Sequence, residues 1–594
     1  MENKGVYELY AKQQDVLTDA MKQRQPFSIA SETDDDDFWK VVIFDQFNCD
    51  LLSLQLRVGE VRKYGVTLML HIDNPRQPLE DVPAIYFVEP TKRNVDSILS
   101  DTKSGKYAKF TICFSSVISD ELLDYFATNS AAQHTDTLIK NIRDMYIHYH
   151  VLEPHLFTLS MENSYCAFNN QKVDEKTGLE NISTVVNSLM SVCVTLREVP
   201  IIRARGGSLE DVIARQLTQR LHKFSAANPT FFRRGVSTRP ILLITNRNHD
   251  ISAGLLHGWN YQALIKEVTE YQLNRVLLDG KWEDIETEGE FWKGCKASII
   301  PDVTDAIQKK TKELVTEKEK FQIVANSFGL SFDEQADINT VSEEDKKKLQ
   351  GQGMAKYGEQ MTQIRALKKE IDLHTAIARL VVEQIKQREI DLLFSYEDNV
   401  MSGIQVEQEA LLNFAARITN TTDLARLFYI YLLNTQDVSA LKKVVEAGKV
   451  DLKALDYMKK LKQTQEYLHL TKDKKKEVGF ASMISMVGKV VQRLIPMDKN
   501  MAVTVLVDTL TECKQNELEN EYNYYDPRSS TENVVDGRRT IQFKDSIVFV
   551  VGGGNYTEFS NIQQYAERNG KHVLYGATEM FGGKELLEQI EMII

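Results

Sequence analysis

Short apolar runs of strand character recur along this chain, and the last of them are cut off from the others by a long helical stretch. WKVVIFD (39–45), VTLMLHI (66–72), AIYFVEP (84–90) and FTICFSS (110–116) come first, with helical VGEVRKYG and KRNVDSILSD between them. The rhythm resumes with VPIIRAR (199–205), a helix through LEDVIARQLTQRL, and RPILLITNR (239–247). It returns only at SIVFVVGGG (546–554), a helix near 558–568 and KHVLYG (571–576). Apolar runs of this length alternating with helices predict mostly parallel sheets covered on both faces. The late strands need neighbours, so the C-terminal segment is expected to complete a sheet begun before residue 260. A helical domain then sits inserted in that sheet's domain, an arrangement that surface loops tolerate.

The expected fold class is therefore α/β plus all-α, with two mainly parallel-sheet domains and a large helical insertion in the second. The expected boundaries are 1–150 for domain 1 and 151–260 for the first part of domain 2. The helical domain 3 follows at 261–500, and 501–594 completes domain 2. A chain of 594 residues is too long for one core.

Within the helical region Ile364, Ile371, Ala378, Ile385 and Leu392 recur every seven residues, with Leu367, His374 and Val381 at the complementary position. Such a seam predicts packing along a partner helix. Ile300, Ile307, Leu314 and Phe321 repeat at the same interval upstream. The two segments suggest a long antiparallel hairpin over about 300–394. Its polar, glycine-bearing segment 326–358 reads as a loop, too long for a mere connector. His374 and Arg388 are polar intrusions in the seam. Residues 6–22 predict a short amphipathic helix, Asp34–Asp37 a solvated spacer and 519–544 a surface loop.

A net charge of −13 argues against nucleic acid as a partner. Six cysteines lie far apart with no CxxC, so neither a disulfide framework nor a zinc site is expected, and a reducing compartment fits. MENKGVYELYAKQQD lacks the apolar core of a signal peptide, and no apolar run approaches the length of a membrane span. The expected location is cytoplasmic, or peripheral on the cytosolic face of a membrane.

The strand–glycine–helix VFVVGGGNYTEF is the feature most like a nucleotide site. A dinucleotide fingerprint counted from Gly552 and Gly554 needs a third small residue where Thr557 stands. The acidic residue expected about twenty positions on is replaced by Tyr575-Gly576-Ala577, and no Lys-Ser/Thr follows for a Walker loop. The glycines thus read as a tight turn. GxSxG, HExxH and calcium-loop patterns do not occur. His148, His150 and His155 read as ordinary or internally satisfied histidines. The stretch 478–495 has one apolar helical face, which fits a core helix better than an interfacial one. SDELLDYFA (119–127) and TLIKNIRDMY (137–146) read as adjoining helices with an apolar crease that can accept a peptide bearing one aromatic anchor.

WKVVIFDQFNCDLLS, DVPAIYFVEPTKRNVDSI, VPIIRARGG, HGWNYQALIKEV, IDLHTAIARLVVEQIKQREID and SIVFVVGGGNYTEFSNIQQYAERNGKHVLYG resemble segments of the Sec/Munc family of vesicle-fusion proteins, in that order. The likeness is greatest to its Sly-type branch, which acts between endoplasmic reticulum and Golgi. The resemblance implies an arch of three domains. Domain 1 is implied to bind the N-terminal peptide of a Qa-SNARE (syntaxin), through Leu123, Phe126, Ala127, Ile139 and Ile142. Ile364, Leu367, Ile371, His374, Ala378, Val381 and Ile385 are implied to lie on a helix that templates the assembling SNARE bundle; on this reading the 326–358 loop is expected to act as a lid over the hairpin. No catalysis, cofactor or metal is implied, and the molecule is expected to be a monomer held at ER and Golgi membranes through SNAREs. Two departures stand out: Asn246-Arg247-Asn248 where the family commonly has Asp-Arg-Asn, and Gly254 where it has proline. The rival readings are a tether or coat-like scaffold without SNARE specificity, and a nucleotide-dependent α/β enzyme using Gly552–Gly554.

Overall fold

Every strand read from the sequence forms in place in the computed structural model, which describes residues 9–22, 39–232, 239–327, 352–435, 437–448, 450–470, 500–514, 516–529 and 542–594. These residues fall into two compact units. One comprises residues up to Leu255 and those from Leu452 onward; the other is Leu256–Asp451.

The first unit holds two sheets. One contains β1 (Lys40–Phe44), β2 (Val66–His71), β3 (Ala84–Val88), β4 (Phe110–Phe114) and β5 (Ile139–Asp144), in the order β2-β1-β3-β4-β5. All four pairings are parallel. β1, β3 and β4 are buried along their whole length, as expected for central strands with helices on both faces. β2 and β5 are the edges. Polar residues at the strand ends start the helices that follow: Asp45 accepts from Asn48 N, Thr91 from Asn94 N and Ser119 from Leu122 N.

β6 (His150–Glu153), β7 (Leu156–Thr158), β8 (Ile201–Arg205) and β9 (Ile241–Asn246) begin the second sheet. A small antiparallel sheet of β10 (Tyr271–Gln272), β11 (Arg275–Leu278) and β12 (Lys281–Asp284) belongs to the second unit. β13 (Tyr522–Tyr525), β14 (Asp545–Val551) and β15 (His572–Ala577) return to the first unit and give the order β13-β8-β9-β14-β15-β7-β6. β14 runs parallel to β9 on one side and β15 on the other. The C-terminal segment therefore supplies interior strands of this sheet.

Four local readings change. Residues 137–146 are a short 3-10 turn followed by β5, because Ile139 and Ile142 pair beside Phe110 and Ile112 of β4. Their apolar spacing fits both a helix face and a half-buried edge strand, and the open sheet edge decides. The helical stretch contains the β10–β12 meander, which its charged residues disguised. Tyr522–Tyr525 leave the expected 519–544 loop to pair antiparallel with β8. The helix Glu175–Leu196 is long and apolar enough to cross a membrane by length and composition, but Val185, Val186 and Leu189–Leu196 are buried. Most of these apolar side chains pack in the core of the second sheet. Asp34–Asp37, most of the expected 326–358 loop and all of 478–495 lie outside the described residues.

In the second unit, helix Ile300–Ser327 packs along helix Gln352–Arg388. Thr304 and Ile307 line one groove with Thr375 and Val382, while Lys310 and Glu313 act on Glu370. Rising numbers on one helix thus meet falling numbers on the other, so the hairpin is antiparallel. Glu389 then takes a left-handed backbone (φ 51°) and the chain restarts as helix Ile390–Met401. Leu392 lies beyond that break and is exposed, so the seven-residue repeat ends one member early.

Candidate functional site

The crease forms between helix Asp120–Ala132 and the edge strand β5. Its closed end is the turn 133–138, where His134 adopts φ 55°, Thr135 N bonds Ser130 O at 3.0 Å and Leu138 N bonds Thr135 O at 3.0 Å. Phe126 is only 1% exposed and belongs to the core beneath the sheet, with Leu122, Leu138, Ile139 and Ile142 packed against the same cluster. Ile139 and Ile142 are half-buried. Leu123 (36% exposed) and Ala127 stand four residues apart on the outward stripe of the helix, where they face water. The five expected residues thus divide into a floor (Phe126), partly covered strand residues (Ile139, Ile142) and an exposed rim (Leu123, Ala127). Phe126 is a core residue first, so its replacement by a charge tests folding as much as binding.

The helix reading of 137–146 also concealed Asp144. At the end of β5 its Oδ1 accepts a hydrogen bond from Ile118 N at 3.2 Å. Only the strand assignment brings that carboxylate to the start of the helix, so nothing in the local sequence marks it.

The heptad seam is turned inward. Ile364, Ile371, His374, Ala378 and Val381 are buried, as are Ile300, Ile307, Leu314 and Phe321 of the opposing helix. Leu367 and Ile385 are half-buried. Seven-residue spacing reports a partner helix without saying whether it belongs to the same chain; here it does. Two depressions expose parts of the seam. Ile364 lines a cavity of about 560 Å³ with Leu278, Met361 and Leu373, and Ala378 lines a shallow groove of about 540 Å³ with Ile307 and Val382. His374 is held by the Tyr261 hydroxyl at 3.0 Å and lies among the rings of Phe291, Trp292 and Tyr261. Burial pulls its imidazole down to about 4, so it stays neutral at pH 7.

Arg388, the second intrusion, enters a buried cluster of six charged groups. It donates to Asp423 at 2.7 and 2.8 Å and to Glu267 at 2.5 Å. Arg426 donates to both oxygens of Glu267, at 2.8 and 3.0 Å. His257 meets Glu397 through Nδ1 at 2.8 Å and through its backbone N–H at 3.0 Å, and meets Asp423 through Nε2 at 3.3 Å. Glu267 would be pushed up by burial, but Arg426, His257 and Arg388 hold it at about 2. His257, Glu267 and Asp423 bring possible metal ligands within 4.8 Å of one another, yet the two guanidiniums already neutralise these carboxylates.

Gly552–Gly554 form a filled turn. Gly552 and Gly553 have φ 82° and 95°, and a Cβ on Gly553 would lie 2.0 Å from the Phe581 ring. A Cβ on Gly554 would lie 2.4 Å from the Tyr575 hydroxyl oxygen. Gly552 N donates to Thr578 Oγ1 and Gly554 N to Glu579 O, so these N–H groups are spent. At the N-terminus of the following helix, where a phosphate would be expected, buried Glu558 accepts from Arg247 at 2.7 Å on both oxygens and from the Tyr575 hydroxyl at 2.8 Å. The first departure thus keeps its arginine at work. The second has a steric reason, since a Cβ at Gly254 would meet Leu586 at 2.5 Å and Arg247 at 2.9 Å.

His148 stacks on Phe47 and His150 meets the same ring at a tilt of 33°, with ring centroids 4.3 Å away in each case. His148 is bonded to Ser188 and Glu89, and His150 to Ser160 and the Phe47 carbonyl. They are satisfied structural histidines. All six cysteines are free thiols.

The family model described as "Sec1 family" matches residues 40–589. "Sec1 family domain-containing protein 1" of Rattus norvegicus is 31% identical, with 93% of this chain and 94% of the rat protein covered. "Protein sly1" of Schizosaccharomyces pombe is 29% identical over 93% of this chain and 92% of its own length. Among solved structures, the crystal structure of Sly1p in complex with an N-terminal peptide of Sed5p superposes with a TM-score of 0.76 at 26% identity, covering 99% of this chain and 98% of that one. The Unc18–syntaxin 1 complex from Monosiga brevicollis, at 19% identity and a TM-score of 0.72, shares the fold.

Proposed function

The chain belongs to the Sec1 family, and from that premise we propose that it captures the N-terminal peptide of an ER–Golgi Qa-SNARE (syntaxin) and promotes SNARE complex assembly in vesicle docking and fusion. The observation that carries this reading is the crease between helix Asp120–Ala132 and β5. It has an apolar floor, a half-open strand wall and an exposed apolar rim in a chain similar to one that has been crystallised with such a peptide. An aromatic side chain of the peptide enters between Leu123, Ala127, Ile139 and Ile142, above Phe126. Membership of this family of SNARE regulators, together with the filled glycine turn, makes binding the protein's activity and leaves no role for a nucleotide. It acts as a monomer in the cytoplasm, peripheral on ER and Golgi membranes through its SNARE partner.

The hairpin has the second part. Its seam residues Ile364, Ile371, His374, Ala378 and Val381, buried, and Leu367 and Ile385, half-buried, hold two helices rigid. Assembling SNARE helices are then received on what the seam leaves open, the groove beside Ile307, Ala378 and Val382. A rigid surface lowers the ordering cost that disordered segments meet when they fold on binding. Peptide capture raises the local concentration of the same syntaxin.

Calorimetry of the full chain with a Qa-SNARE N-terminal peptide tests the crease. Leu123→Lys should weaken binding by at least tenfold, because it puts a charge on the apolar rim without entering the core. Unchanged affinity in this variant would remove the crease from the binding surface. A scaffold without SNARE specificity would instead retain syntaxin cytosolic domains equally with and without their N-terminal peptide.

A further inference from the structure

Helix Asp120–Ala132 and strand β5, the two walls of the crease, are joined at one end by the turn 133–138. At the other end Asp144 bonds the strand end to the helix start: its Oδ1 takes the Ile118 N–H at 3.2 Å, one residue before the capping Ser119. We infer that Asp144 is a positioning residue that sets the separation of helix and strand, and through it the affinity of the crease for an apolar-anchored peptide. This inference rests on the reading of the crease as the peptide site.

Three features make the tie more than a local contact. It adds a side-chain bond to the backbone bonds Met145 N to Phe114 O and Ile147 N to Ser115 O, both 2.8 Å, and reaches closer to the helix start than either. It also places a carboxylate at the positive end of a 13-residue helix, where a negative charge is favoured. And the bond is charge-assisted only while Asp144 is ionised. Burial pushes that carboxyl up to about 6, although the bond from Ile118 N works in the opposite direction. The helix start is therefore held firmly at pH 7.4 and loosely at pH 5.

Several other titratable groups lie near this tie. Tyr146, raised to about 12 by burial and then by Asp144, stays neutral throughout. Asp120 and Glu121 lie in the first turn of the helix, with Lys140 and Arg143 on β5 itself. Arg143 adjoins Asp144 and so points to the opposite face of the strand, where it acts on Cys113 of β4.

The test pairs a direct and a functional readout on the full chain. In wild type the Ile118 amide resonance, seen by selective 15N-isoleucine labelling, should titrate with a midpoint near 6. In Asp144→Asn, which keeps size and an acceptor oxygen, it should not titrate. Affinity for a Qa-SNARE N-terminal peptide without histidine should fall roughly three- to tenfold between pH 7.4 and 5.2 in wild type, the order expected for weakening one charge-assisted hydrogen bond. In Asp144→Asn it should be low and flat. A wild-type affinity flat with pH, together with an unchanged Asp144→Asn affinity, overturns the inference. If no peptide binds at any pH, the reading of the crease fails instead, and the Ile118 titration alone decides the tie: a flat resonance refutes it.

Discussion

The buried cluster around His257 makes the stability of the second unit depend on pH in a direction that can be worked out. Arg388, Arg426 and protonated His257 face Glu267, Glu397 and Asp423, so charge balances only when the imidazole carries its proton. Burial and Arg426 oppose that proton, but Glu397, Glu267 and the bond to Asp423 outweigh them and lift His257 to about 8. The unfolded value is about 6.5. Because the folded value is the higher, the stabilisation is fully present below about pH 6.5 and is lost as pH rises through about 8. The difference of about 1.5 units corresponds to roughly 2 kcal/mol lost by pH 9. No discount for solvent applies, since His257 and Glu397 are fully buried. Glu397→Gln removes the Nδ1 partner, and should begin less stable at pH 6.5 and show a much flatter slope. Urea unfolding followed by tryptophan fluorescence suits the measurement, because Trp259, Trp282 and Trp292 lie in this unit and only Trp39 lies in the other. A wild-type midpoint unchanged from pH 6.5 to 9, or an equal slope in Glu397→Gln, would refute the reasoning.

Three further outcomes are expected. Gly553→Ala drives a methyl group into the Phe581 ring at a backbone angle suited to glycine, and should cost about 2–4 kcal/mol in thermal or urea unfolding; millimolar nucleotide should shift the melting temperature of neither form. Arg247→Met strands the buried Glu558 and should destabilise by about 3–5 kcal/mol, with Glu558→Gln in the same chain restoring part of the loss in a double-mutant cycle. Phe126→Asp should reduce soluble expression or lower the melting temperature of the chain, while Ala127→Asp should leave melting unchanged and weaken only the peptide, as calorimetry on both variants would reveal.

What could be read from the sequence follows from how locally each feature is encoded. Strands such as VVIFD and IVFVV are apolar over their whole length, because both faces of a parallel sheet are covered, so their position was plain. The insertion was legible for the same reason, since β14 and β15 are too few for a sheet of their own and β14's other partner, β9, lies some three hundred residues earlier. Edge elements were not: Ile139 and Ile142 fit helix and strand equally, and the pairing with β4 is a non-local fact. Tyr522–Tyr525 escaped similarly, through a partner some three hundred residues away. The five crease residues were reachable, the core role of Phe126 was not, and Asp144 became visible only with the strand. His257, Glu267, Glu397 and Asp423 are separately unremarkable charges spread over four segments. Arg388 was noticed only because it interrupted an apolar stripe. For the seam, periodicity correctly demanded a partner helix but could not say that the partner lies in the same chain.

The central claim is selection of one SNARE class by its N-terminal peptide. Calorimetric titration of the purified full chain against a panel of Qa-SNARE N-terminal peptides tests it most directly. Binding to an ER–Golgi syntaxin peptide, lost in Leu123→Lys and well above that of plasma-membrane or endosomal peptides, is the predicted result. Equal binding across the panel, or none to any member, would contradict it.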